Sequence, residues 1–254
     1  MIITLAFTTQ QWQADLSQPL DISLPLKEGS LNPNCYYAEP VQVETIEVGD
    51  FIGSVARGGS VNYQKISFTP HGNGTHTECY GHLVADTKAT LHSLLNTFHF
   101  IAEVVSLTPK IASSGDAIIT LESLKQMIKH PGSKALVIRT LPNEENKRIR
   151  QYSGTNPPYL EAALTQYLAE NNIEHLLLDL PSVDKEVDGG ALAAHKAFWR
   201  LEGVVRKQCT ITELVYVPEH VQDGLYLLNL QITSLEIDAS PSKPVLYKLT
   251  EFLP

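Results

Sequence analysis

The chain has 254 residues, 43% of them hydrophobic, and a formal net charge of −9 at neutral pH. That is enough apolar material for a sizeable core in one large domain, and the acidic balance argues against a nucleic-acid footprint. Cys35, Cys79 and Cys209 make neither a paired framework nor a CxxC motif, so a reducing compartment, the cytoplasm, is the simpler setting; no apolar run approaches membrane-spanning length, and no membrane partner is expected.

In chain order, Met1 to Phe7 is apolar, has no preceding basic residues and runs into Thr8-Thr9-Gln10-Gln11, which reads as a strand and not as a signal peptide. Ser17 to Pro40, rich in proline, asparagine and serine, reads as a long surface loop. Extended segments are predicted at Gln42 to Val48, Gln64 to Thr69, Phe98 to Leu107, Lys134 to Leu141, Ile173 to Leu180, Thr210 to Val217, Leu225 to Thr233 and Pro244 to Leu249. Several are apolar on both faces, as buried central strands are. Helices are predicted at Leu121 to Lys129 and at Tyr159 to Asn171, the second with a stripe through Leu160, Ala163, Leu164 and Leu168. A short third helix, Ala191 to Trp199, follows Gly189-Gly190. With no repeat, low-complexity tract or clear linker, the chain reads as one domain, 1–254, of α/β or α+β type.

The densest chemistry lies in HGNGTHTECYGH, His71 to His82, where three imidazoles and one carboxylate crowd into a stretch barely longer than a strand. Imidazole nitrogen and carboxylate oxygen are the usual ligands of zinc and also suit manganese and iron. In an extended segment His76 and Glu78 share a face, because side chains alternate with period two. The turn Gly72-Asn73-Gly74 can bring His71 back beside His76. By the same alternation Cys79 faces away from Glu78, so a small buried apolar residue is a better account of it than a thiolate nucleophile. His92, His99, His130, His175 and His220 stand alone and read as surface or satisfied core histidines.

A second constellation is distributed. Ser182, Val183 and Asp184 emerge at the carboxyl end of an apolar strand, where sites on open sheets usually lie. His195 falls on the short third helix, and its bland alternative is a helix-surface imidazole. Glu213 sits among apolar residues of a strong strand signal, so it either faces outward or needs a partner or a metal. Trp199 and the pair Tyr36-Tyr37 can line a pocket for a planar substrate, with plain core as the commoner role. Arg57-Gly58-Gly59 is a weak candidate for a substrate-contacting loop.

HGNGTHTECYGH resembles the metal-binding motif of the cyclase family, which includes bacterial kynurenine formamidase and isatin hydrolase. Leu180 to Asp184, His195 and Glu213 are similar to its later blocks, so the likeness spans about residue 20 to residue 248. The resemblance implies a swivelling β/β/α fold with a strand-rich, barrel-like core, and a homo-oligomer acting on a small-molecule substrate. It implies His71, His76 and Glu78 on one divalent ion, with Glu78 bridging to a second held by His195 and Glu213. Zinc is the leading expectation, manganese the second, with one or two ions. The activity implied is hydrolysis of a small amide or cyclic amide, like that of an arylformamidase, by metal-activated water. His82 then moves a proton to the departing nitrogen, or serves as a further ligand.

The departures from that pattern matter as much. Glu78 stands where the family usually has aspartate, Cys79-Tyr80 where it has alanine-proline, and Leu24, within the opening block Asp21 to Pro25, where a histidine is common. Glutamate shifts the carboxylate by about 1.5 Å, a bond length, which bears on the spacing, choice and number of metal ions. Two other readings follow: a metal-containing ligand-binding protein without catalysis, and a metal-dependent lyase or dehydratase.

Overall fold

The computed structural model describes residues 1–252. Nine strands frame it: β1 (Ile2–Phe7), β2 (Gln10–Asp15), β3 (His76–Glu78), β4 (His99–Leu107), β5 (Ala135–Thr140), β6 (His175–Leu178), β7 (Thr210–Glu213), β8 (Gly224–Ile232) and β9 (Ala239–Glu251). Three helices pack against the outer face of these strands: α1 (Leu121–Met127), α2 (Ala162–Glu170) and α3 (Ala193–Trp199). The seven strands from β3 to β9 hydrogen-bond in the order β9-β8-β4-β5-β6-β7-β3, and β3 returns to pair with β9, closing a barrel. Strands β4 to β7 are mutually parallel and the remaining pairs antiparallel. Closure leaves this sheet no free edge. The expected barrel-like core is therefore present.

Both faces of the central strands are buried, and alternation assigns each face its neighbour. On β5, Ala135 and Val137 point into the barrel interior with Ala102, Val104, Leu177 and Leu228. Leu136 and Ile138 point outward against Leu124 of α1, Leu164 and Leu168 of α2, and Ala194 and Phe198 of α3. A strand sandwiched this way needs an apolar run instead of an alternating one, which is why the sequence signal was continuous. Antiparallel β1 and β2 form a hairpin that extends the sheet beyond β9. Its Ala14, with Leu5 and Trp12, covers the outward residues Leu225, Leu227 and Leu249.

Most predicted elements are found within a residue or two of their expected bounds, and the larger differences have causes. The segment Tyr159 to Asn171 divides: Tyr159–Leu160 pairs with Ile118 and Ile119 as a short parallel strand, and only Ala162–Glu170 is helical. Pairing with Ile118 and Ile119 holds Tyr159 and Leu160 extended, so the helix starts only at Ala162. The last strand is longer than Pro244 to Leu249, running from Ala239 to Glu251; Pro241 and Pro244 break its sequence pattern without ending it. Pairing ends at Glu213, before the predicted Val217, because Leu214 turns into the left-handed region at φ 54°. The stretch Ser17 to Pro40 is irregular apart from Leu20–Asp21, but Ile22, Asn32 and Cys35 are buried, so it is not confined to the surface.

Candidate metal centre

The register of three strands builds the centre. Strand β3 lies between β7 and β9, with Glu213 opposite His76, Ile211 opposite Glu78 and Ala239 opposite Glu78. Thr77 and Thr212 face one another on the other side, their hydroxyls 2.7 Å apart. Ile211 belongs to the layer beneath the helices, so His76, Glu78 and Glu213 face out of the barrel on its helix side. There α3 brings His195 over them. His71 arrives from the turn Pro70–Gly72, which Asn73 clamps by accepting from the Thr69 amide at 2.7 Å. Gly72 is required at that turn, since a Cβ there would stand 2.3 Å from that of Ala38.

All six residues singled out in the sequence converge. His195 Nε2 stands 3.1 Å from Glu78 Oε1 and 3.9 Å from Glu213 Oε1, and His76 Nε2 stands 3.4 Å from Glu213 Oε2. His71 Nδ1 comes within 3.1 Å of Glu78 Oε2, at ion-pair distance but without hydrogen-bond alignment. The His82 ring stacks on His71 with centroids 4.2 Å apart. His76, Glu78, His195 and Glu213 are buried, whereas His71 and His82 stand on the more open side. Two subsets have ligand atoms close enough to share an ion: His71, Glu78 and His82, and His76, Glu78 and Glu213.

Neighbouring groups orient these side chains. His76 Nδ1 donates to the Gly74 carbonyl at 2.9 Å, which leaves Nε2 facing the cluster. His195 Nδ1 donates to Asp184 at 2.6 Å, and Asp184 also accepts the Ala194 and His195 amides. Glu213 accepts the Val183 amide at 3.1 Å. Asp238, which no motif marks, accepts from both His71 Nε2 at 2.9 Å and His82 Nδ1 at 3.1 Å through Oδ2. Asp184 ends the Leu180 to Asp184 block, and only the fold shows that it reaches α3.

The electrostatics follow from burial and pairing. Burial opposes charge on His195, but Asp184 and Glu78 outweigh it and push the ring to about 10. His71 is likewise opposed by burial and raised to about 10 by Asp238 and Glu78. Burial also works against the Glu78 carboxylate, yet His195 and His71 hold it well below the ordinary carboxylate range.

The donor set fits a divalent ion. His76 Nε2 and Glu78 Oε2 are buried with no hydrogen-bond partner, which costs several kilocalories per mole, roughly, unless something else satisfies them. Lysine and arginine are absent from the polar contacts of Glu78 and Glu213. Cys79 does not compete, because its thiol is buried, donates to the Ala89 carbonyl and is pushed by burial to about 12. Leu24, where the family often has a histidine, is buried and offers only its amide, to Thr75.

The other candidates resolve as ordinary structure. Trp199 is fully buried beneath His195 and donates to the Cys209 carbonyl. The Tyr36 hydroxyl reaches the Pro181 carbonyl at 3.3 Å, and both Tyr36 and Tyr37 are exposed. Arg57 pairs with Glu47 on an exposed arm. None of His92, His99, His130, His175 and His220 joins a group able to hold a metal among the described residues.

Fold and site together define an enzyme built on a closed barrel, with a buried histidine-carboxylate centre at the seam. The family model Cyclase, described as Putative cyclase, matches residues 14–185, and the chain belongs to that family. It is 29% identical over 192 residues to a kynurenine formamidase of Bacillus cytotoxicus, covering 75% of this chain and 82% of that one. A kynurenine formamidase of Bacillus cereus is 27% identical over 239 residues, covering 94% and 98%. Among solved structures, a predicted metal-dependent hydrolase from Bacillus stearothermophilus superposes with a TM-score of 0.62 at 18% identity, covering 91% and 98% of the two chains. Isatin hydrolase A from Ralstonia solanacearum gives 0.65 at 12% identity, covering 91% of each. These two establish the fold.

Proposed function

We propose that the chain is a metal-dependent hydrolase of a small amide or cyclic amide, arylformamidase-like, working as one domain over 1–254. His71, His76, Glu78, His195 and Glu213 hold one or two divalent ions, zinc first and manganese second. The observation that carries this reading is the pair of buried, unpartnered ligand atoms, His76 Nε2 and Glu78 Oε2, aimed into one cluster. The kynurenine formamidase relatives supply the substrate class, a C–N bond outside the peptide chain.

A divalent ion held there would polarise a substrate carbonyl and lower the pKa of water from about 15.7 to about 7. The protein's own groups do the rest. Asp184 fixes the His195 ring so that Nε2 faces the carboxylates. Ile211 and Trp199, buried on the same side of the strands, limit water behind the ligands. His82 stands at the open side with Nδ1 engaged by Asp238, which leaves Nε2 to deliver a proton to the departing nitrogen. A second reading, favoured by the close grouping of His71, Glu78 and His82, makes His82 a ligand instead.

A homo-oligomer in the cytoplasm belongs to the same reading. The exposed apolar side chains of the arm following Val41, among them Val48, Phe51, Val55 and Ile66, support self-association. No helix among the described residues is long and apolar enough to cross a membrane. The deciding experiment combines metal analysis of purified protein with a panel of N-formyl amides, lactams and esters. Hydrolysis by the metal-loaded protein alone supports the proposal; inertness of fully loaded protein toward the whole panel overturns it.

A further inference from the structure

Asp238 is the last residue before β9, and the chain pins its backbone on both sides. Its carbonyl accepts the Cys79 amide at 3.0 Å, the preceding Ile237 carbonyl accepts the Leu91 amide at 2.8 Å, and Ala239 begins the pairing with Glu78. The carboxylate is thus delivered to the metal-binding segment by the closing seam of the barrel. There its Oδ2 takes His71 Nε2 at 2.9 Å and His82 Nδ1 at 3.1 Å, while the two rings stack. An ionised carboxylate only accepts hydrogen bonds, so both nitrogens facing it must carry hydrogen. Among the described residues no other side chain bonds the His82 ring.

We propose that Asp238 is the positioning residue of the centre: one oxygen sets His71 to offer Nδ1 to the metal and His82 to offer Nε2 to the substrate. This rests on the hydrolase reading above. Free imidazole favours hydrogen on Nε2; with hydrogen held on Nδ1 by Asp238, the neutral His82 ring keeps Nε2 bare to take a proton from the attacking water and then pass it to the departing nitrogen. An outer partner of this kind is ordinarily worth about 10- to 100-fold in activity or metal affinity. Asp238 therefore couples a ligand to the acid/base group, so that assembling one orients the other.

The test uses full-length, zinc-loaded protein with Asp238→Ala, Asp238→Asn and Asp238→Glu. Nitrogen-15 spectra of the histidine rings should show hydrogen on His82 Nδ1 in the unsubstituted protein and on Nε2 in Asp238→Ala. With a substrate from the amide panel and zinc at saturation, Asp238→Ala should lower kcat by about 10- to 100-fold with KM unchanged, and should weaken zinc binding by no more than the same factor. Asp238→Asn, which keeps an accepting oxygen in place, should recover part of the loss; it also serves if the alanine variant fails to fold. An unchanged His82 tautomer in Asp238→Ala overturns the proposal. So does loss of zinc from Asp238→Asn, because Asp238 would then be a ligand. If the unsubstituted protein hydrolyses nothing, the hydrolase reading fails, and the ring spectra still decide whether Asp238 sets the tautomers.

Discussion

His76 and Glu213 face each other across the antiparallel seam of β3 and β7, with His76 Nε2 3.4 Å from Glu213 Oε2. A strand pairing thus fixes two distant parts of the chain as one half of the centre. Because His76 Nδ1 is already committed to the Gly74 carbonyl, only Nε2 can serve an ion. His76→Ala should therefore remove metal and turnover together, measured by metal content after dialysis and by hydrolysis rate. Full metal retention in this variant would remove His76 from the ligand set.

His82 behaves differently if its task is proton transfer. His82→Ala should keep its metal and lose about 10² to 10⁴ in turnover, the usual worth of a positioned acid or base. Loss of metal together with activity would instead favour the grouping of His71, Glu78 and His82 as ligands.

Much of this centre was legible in the sequence because it is local. His76 and Glu78 needed only the two-residue period of a strand, and His71 only a glycine turn to fold it back. His195 and Glu213 were legible through resemblance, since nothing in their own neighbourhoods separates a ligand from a surface imidazole or an outward carboxylate. Asp238 was not legible at all. Its role depends on the β9 register against β3, and Pro241 and Pro244 hid the start of that strand. Barrel closure is equally non-local: apolar runs show that strands are buried on both faces but not which strand returns to meet the first.

Metal uptake should depend steeply on pH. Without an ion, burial opposes but Asp184 and Glu78 push His195 to about 10, and against the same opposition Asp238 and Glu78 push His71 to about 10. Near neutral pH both rings then carry protons that a metal must displace. Apparent affinity should rise as pH rises toward 10, with proton release on binding. Calorimetric titrations in buffers of different ionisation enthalpy measure that release. Identical heats across the buffers would show that no proton leaves.

Glu78 is the longer carboxylate at a position where the family usually carries aspartate, and its two oxygens lie 3.1 Å from His71 and 3.1 Å from His195. Glu78→Asp withdraws the carboxylate by about 1.5 Å and cannot span both rings from the same backbone. Metal affinity should fall by about 10- to 100-fold, read by titration with zinc or manganese. Unchanged affinity and stoichiometry would show that the backbone adjusts to the shorter side chain.

His175 offers a prediction independent of the metal. It is buried on β6, its ring packs on Phe100 with centroids 3.8 Å apart, and Nδ1 meets Thr210 Oγ1 at 2.9 Å. Burial, reinforced by Arg206 and Lys134, pushes its pKa from 6.5 down to about 3. Between those values the unfolded chain binds the proton and the folded protein does not, so stability is complete above about 6.5 and falls as pH falls. The loss from this residue should reach about 2 kcal/mol by pH 5 and level off only below about pH 3. His175→Gln keeps a polar side chain of similar reach and removes the titration. Urea unfolding of metal-free protein at pH 7.5 and at pH 5 should show a smaller loss for the variant than for the parent, whose remaining acid sensitivity comes from other groups. An equal loss in both would mean that His175 takes up its proton without unfolding.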